Sequence, residues 1–127
     1  MEDQEHGGRF FREAWITGVK RYYPGTPKEG YIAPWQQMQG WEQESAHAVY
    51  EQVRQFVVGA SGQTIHLSRE QKGRFVSLCW IGQIFKHIPT PKPSYVADWQ
   101  DLPEWQRETD ADIFEAIEGA VRGQAYK

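Results

Sequence analysis

The sequence predicts an all-α domain made by tandem duplication of a helix-loop-helix unit, packed as a pseudo-twofold four-helix arrangement with long, ordered, proline-rich loops. Three observations lead there. Residues 8–24 align without gaps on 73–89 and, once Gly25 is skipped, 26–57 align on 90–121, giving 17 identities over 49 positions. Unrelated segments of ordinary composition share about one residue in fifteen, so roughly three matches are expected by chance. All six tryptophans pair under this alignment: Trp15 with Trp80, Trp35 with Trp99, and Trp41 with Trp105. Apolar residues also recur at helical spacing on both sides of a proline-bearing stretch in each segment, the pattern of a unit too small to bury its own apolar face.

Taken in order, the first unit reads as a helix over about 8–23 ending at Pro24, a loop, and a second helix over about 42–58. A linker follows over 59–67, in which 64–67 is expected to be a short extended piece without forming a sheet. Ser68, with Glu70 and then Gln71 three residues on, opens the next helix as a capping box. Phe75, Leu78, Cys79, Ile81 and Phe85 read as its apolar face, up to a stop near Pro89. Pro91 and Pro93 favour an extended path over 89–97, laid across the helices. Asp98 is expected to cap a short turn through Leu102. A last helix runs over about 103–121, with Pro103 in its first turn and Ile113, Ile117, Ala120 and Val121 on one face. One domain over 8–121 results, with units 8–58 and 68–121 and flexible ends at 1–7 and 123–127.

Composition excludes several classes. With 127 residues, 39% hydrophobic and 24% charged, the chain has material for one core. A mean hydropathy of -0.72 leaves no apolar run of the roughly 18 residues that span a bilayer. Glu2, Asp3 and Glu5 after Met1 are the opposite of a secretory start. Cys79 is the single cysteine, which rules out an internal disulfide framework and fits a reducing, cytoplasmic setting. The formal charge of -3 argues against general nucleic-acid binding.

Catalytic signatures are missing. There is no glycine-rich phosphate loop, no His-Glu-x-x-His, no Gly-x-Ser-x-Gly and no Cys-x-x-Cys. His6, His47, His66 and His87 are scattered, so no metal site, cofactor or catalytic residue is expected. Cys79 aligns with Ala14 and reads as a structural thiol. Glu44 and Glu108 align with each other near helix starts, where the helix dipole stabilises a carboxylate. Asp110 and Asp112 read as a solvated face.

The segment Pro93-Ser-Tyr-Val-Ala-Asp-Trp-Gln-Asp-Leu-Pro-Glu-Trp-Gln-Arg-Glu-Thr-Asp110 resembles the RyR repeat, a module found in tandem in ryanodine receptors and in small bacterial and phage proteins. Trp99, Leu102, Pro103, Glu104, Arg107, Glu108 and Thr109 carry the match. The first unit keeps Trp35, Trp41, Glu44 and Ser45 of it, with Met38 and Gln43 in place of the leucine and arginine. Bacterial members often have His where this chain has Trp80 and Trp15. The resemblance implies a helical, non-enzymatic module that senses a ligand or docks a protein, with adenine nucleotides as the small-molecule class.

Two functions follow from the paired residues. In the first, Trp15 and Trp80 lie close together, because symmetry would bring the two first helices together, and they either fill the core or wall a pocket. As a wall they would stack a base, with Arg9, Arg74 and Arg107 pairing phosphate and with Tyr22, Gln83 and His87 supplying polar contacts. In the second, Tyr31 and Tyr95, with Lys28 and Lys92, present aromatic anchors on the loops to a protein partner. The chain would act as a monomer or a homodimer.

Overall fold

The computed structural model of the chain describes residues 4–125. Helix α1 (Gln4–Tyr22) is followed by a single helical turn, α2 (Glu29–Ile32), a 3-10 turn at Trp35–Gln37, and helix α3 (Gly40–Gly59). A 3-10 turn at Gln63–His66 leads into α4 (Arg69–His87), two more at Pro93–Val96 and Trp99–Asp101 follow, and α5 (Glu104–Ala125) closes the order. No strand occurs among the described residues. The segments 4–7 and 123–125 are helical, and the rest of both expected flexible ends lies outside the described residues.

Helix starts follow from local chemistry. The Ser68 hydroxyl accepts from the Gln71 amide at 3.1 Å, and the Gln71 side chain accepts from the Ser68 amide at 2.9 Å. Glu42 accepts from the Gln39 amide at 3.1 Å at the head of α3. Pro103 stands just before α5, where its carbonyl accepts from the Gln106 and Arg107 amides.

Three local expectations change. The stretch 64–67 is not extended: Gly62, at a φ of 82°, turns the chain back after α3, and Thr64 is buried in a 3-10 turn that lets its hydroxyl donate to Glu118 at 2.6 Å. The stretch 89–97 contains a 3-10 turn opened by Pro93, since the φ proline imposes serves a tight turn as well as an extended chain. The turn after Asp98 forms through its backbone carbonyl, which accepts from the Asp101 amide at 2.9 Å, and its side chain makes no cap.

Helix α3 packs on α1 and α4, α5 packs on α4 and α1, and α3 also touches α5. Helices α1 and α4 therefore take opposite corners and meet through Phe11 and Trp80, stacked at 5.8 Å. The core lies between the four long helices: Phe11 of α1, Ala46, Val49, Tyr50, Val53 and Val57 of α3, Val76 of α4, and Ile113, Phe114 and Ile117 of α5. Each of the large side chains contributes about 1.5–3 kcal/mol by leaving water.

The apolar face expected on α4 is divided. Phe75 and Cys79 pack against the core, while Leu78 and Phe85 stand in solvent at 69% and 55% exposure. The buried side of α4 carries Lys72, Ser77 and Gln83 instead. Lys72 can lie there because α5 brings the Glu118 carboxylate to it, a partner that periodicity within α4 does not reveal.

Several contacts occur at both sets of aligned positions. Gly8 lies under the Trp35 ring and Gly73 under the Trp99 ring, so close that a Cβ at either would collide with the indole. Phe10 meets Tyr50 at 5.6 Å, and Phe75 meets Phe114 at 6.1 Å. The Met38 amide donates to the Trp35 carbonyl, and the Leu102 amide to the Trp99 carbonyl, each at 3.1 Å.

Candidate functional site

The predicted aromatic pair is placed on two different neighbourhoods. The Trp15 indole N–H donates to the Tyr31 carbonyl at 2.9 Å, and its ring meets Tyr31 and Trp105 at 6.4 and 5.7 Å. Trp80 lies parallel to Phe11. The two indoles thus pack with other rings rather than facing each other, because α1 and α4 sit diagonally. Both are half-buried against the core.

The tyrosines diverge as well. Tyr31 is enclosed by Trp15, Tyr23 and Trp105, whereas Tyr95 is 51% exposed. Lys28 and Lys92 keep one relation, each ammonium lying over its own tyrosine ring at 5.7 and 5.8 Å. Arg12, aligned with Ser77 and so invisible to a search for paired residues, holds the first loop: its guanidinium donates to the Ala33 carbonyl at 2.9 and 3.0 Å and to the Gly30 carbonyl at 2.9 Å.

Charged groups gather where α4 meets α5. Arg69 donates to Glu115 at 2.6 Å, Glu108 at 2.8 Å and Asp112 at 2.9 Å. Asp112 also receives Tyr22 and Arg21, both at 3.3 Å. It is therefore a bridge between helices and not a solvated residue. Beside this network an open pocket of about 170 Å³ is lined by Arg69, Glu70, Trp99, Glu104, Arg107 and Glu108. Glu70 is held by Arg74 at 2.9 Å and Glu108 by Arg69. Arg107 has no hydrogen bond or ion pair among the described residues. Arg9 pairs with Glu5 and lies over Trp35 at 5.9 Å.

No family model, curated protein or solved structure matches the chain.

The seam between α3 and α4 holds the other predicted polar residues. The two helices run antiparallel, with the Glu44 carboxylate 3.4 Å from His87 Nε2 near one end and the Phe56 and Phe75 rings stacked at 4.5 Å near the other. His87 also lies against the Trp41 ring at 5.9 Å. Gln83, one turn earlier, is buried with its side-chain carbonyl unpaired, as is the Ser45 hydroxyl. His87 Nε2 is buried too and lacks hydrogen-bond geometry to Glu44. Buried polar atoms of this kind are commonly met by ordered water.

Burial pushes the Cys79 thiol up to about 11, so it stays protonated near neutral pH and is a poor nucleophile. Asp110, expected on a solvated face, is buried, and desolvation pushes its carboxyl well above the usual range. Among the described residues no group of three His, Cys, Asp or Glu is arranged to hold a metal ion, and no helix is long and apolar enough to cross a membrane. Arg69 and Lys72 precede the segment 73–89 and so lie outside the aligned positions, while Asp110, aligned with Ala46, reads as solvated because α5 alone does not show which helix covers it.

Proposed function

We propose that the chain is a non-catalytic recognition module of two RyR-repeat-like units related by a pseudo-twofold, and that it docks a protein partner through the outer surface of its second unit. The observation carrying this reading is the asymmetry of exposure. Tyr95 is open where Tyr31 is enclosed, and Leu78 and Phe85 are open where the aligned positions carry Glu13 and Lys20. Exposed aromatic and aliphatic anchors of this size are what concentrates binding energy at interfaces. The duplicated architecture is supported by the contacts common to both aligned segments.

Tyr95→Ala is expected to abolish capture of binding proteins from a lysate of the native host while leaving the melting temperature unchanged. Tyr31→Ala is expected to lower the melting temperature, because it empties the ring cluster under the first loop. Full capture by Tyr95→Ala would remove the docking surface from that loop.

One observation favours a second reading, the sensing or sequestering of a nucleotide-type ligand. Arg107 is an unpaired guanidinium in a pocket beside Trp99, which suits a phosphate next to a stacked base. Titration calorimetry with mono-, di- and cyclic nucleotides is expected to give heat that Arg107→Ala abolishes. No heat from any of them at millimolar concentration would end this reading.

A further inference from the structure

We propose that the pocket beside Trp99 binds a small zwitterion of amino-acid size, with its cationic head on the indole next to Glu104 and its carboxylate on Arg107. This ligand class differs from the nucleotide of the second reading above and rests on that reading only in taking the pocket as a binding site. The first segment closes with its own side chains the place that the second leaves open. At Trp35 the Arg9 guanidinium lies over the ring at 5.9 Å, and the Gln43 side-chain amide donates to the Trp35 carbonyl at 2.8 Å. One turn beyond Gln43 stands His47.

Each of these closures is missing at the aligned positions around Trp99. Arg74 donates to Glu70 at 2.9 Å, as Arg9 does to Glu5, but among the described residues no cation stands over the Trp99 ring. Arg107 takes the place of Gln43 and leaves the Trp99 carbonyl to the Leu102 amide. Ala111 takes the place of His47 and lines the open pocket of about 170 Å³. The protein thus shows at Trp35 what fits such a place, a cation laid on the indole face.

The groups left over define the ligand. Arg69 is held by Glu108, Asp112 and Glu115, and Glu70 by Arg74. Of the charged residues lining the pocket, only Glu104 and Arg107 have no hydrogen bond or ion pair among the described residues. They are three positions apart on α5 and so share a face, with Cβ atoms about 5–6 Å apart, close enough for one small molecule to meet both. A free carboxylate and a free guanidinium are complemented by one charge of each sign. Two arginines against three glutamates give the lining a net charge of -1, which opposes a polyphosphate and leaves a net-neutral ligand unopposed. The volume lies below the roughly 300–1,000 Å³ of sites for drug-sized ligands, which sets the amino-acid size.

Titration of the full chain with glycine betaine and with γ-aminobutyrate, followed through the indole N–H signals by heteronuclear NMR, tests the assignment. The Trp99 signal, identified by its loss in Trp99→Phe, is expected to shift saturably with a Kd on the order of millimolar. Choline and acetate, which each carry one of the two charges, are expected to bind about tenfold more weakly. Arg107→Gln, which installs the residue of the first segment, is expected to weaken glycine betaine about tenfold, leaving choline binding and the melting temperature unchanged. Glu104→Gln is expected to weaken glycine betaine and choline alike. A Trp99 signal that neither zwitterion moves at about 50 mM overturns the proposal, and so does zwitterion binding that both substitutions leave intact. Nucleotide calorimetry decides the second reading separately: nucleotide heat without zwitterion shifts leaves that reading standing and overturns the zwitterion, and zwitterion shifts without nucleotide heat do the reverse.

Discussion

Lys72→Met is expected to cost about 3–5 kcal/mol of stability, a large share of the 5–15 kcal/mol typical of a domain. The Lys72 side chain is 8% exposed and its ammonium lies 3.0 Å from Glu118, itself 6% exposed, with Glu115 farther off at 3.4 Å. Glu118 also accepts the Thr64 hydroxyl, so this carboxylate ties α5 to α4 and to the turn before α4. Removing the lysine leaves a buried carboxylate with one neutral donor, and the loss comes from that stranded charge more than from the pair itself. The double substitution K72M/E118Q is therefore expected to recover most of the deficit, because the amide keeps the Thr64 hydrogen bond and no charge remains buried. Urea unfolding of the wild type, Lys72→Met and the double variant measures this. A single variant within about 1 kcal/mol of wild type would contradict the burial of the pair.

Asp110→Ala is expected to act in the opposite direction. Asp110 is buried, and no hydrogen bond or ion pair meets it among the described residues. Because burial raises its folded-state pKa, the native chain holds this proton more tightly than the unfolded chain. Stability therefore falls as pH rises through the window from the ordinary aspartate value, about 3.9, to the raised native one. Above that window the full penalty is present, and below it the penalty is gone. Alanine removes it altogether, and Ala46 occupies the aligned position on α3. At pH 8 the variant should be more stable by about 1–3 kcal/mol, or roughly 3–12 °C in Tm. The advantage should shrink as pH is lowered towards 4. Equal melting at pH 8 would mean that the carboxyl has a partner or reaches water.

Residues such as Asp110 mark how far the sequence could be read. The four long helices follow from 3.6-residue spacing and from caps such as Ser68, which are local properties. The aligned pairs Trp35 and Trp99 occupy equivalent places, and only the structure shows that they pack on Gly8 and Gly73. The site was less legible. Trp15 and Trp80 pair in the alignment but not in space, because a shared position in each unit fixes a residue's place within that unit and not its distance from its counterpart. Leu78 and Phe85 looked like core and are surface, since any apolar residue on a helix counts towards a stripe until the neighbouring helices decide which side is covered.

The chain by itself determined its helical class, the approximate extent of its long helices and the internal similarity of its two segments, all of which rest on local propensity, spacing and identity. Only the tertiary structure decided that α1 and α4 lie on opposite corners, that Lys72 and Glu118 share a buried site, and that Tyr95 and the outer side of α4 remain open. Those outcomes depend on which surfaces meet across dozens of residues of intervening chain. Desolvation and ion pairing act on that arrangement in space, and neither is written in the order of residues along one helix.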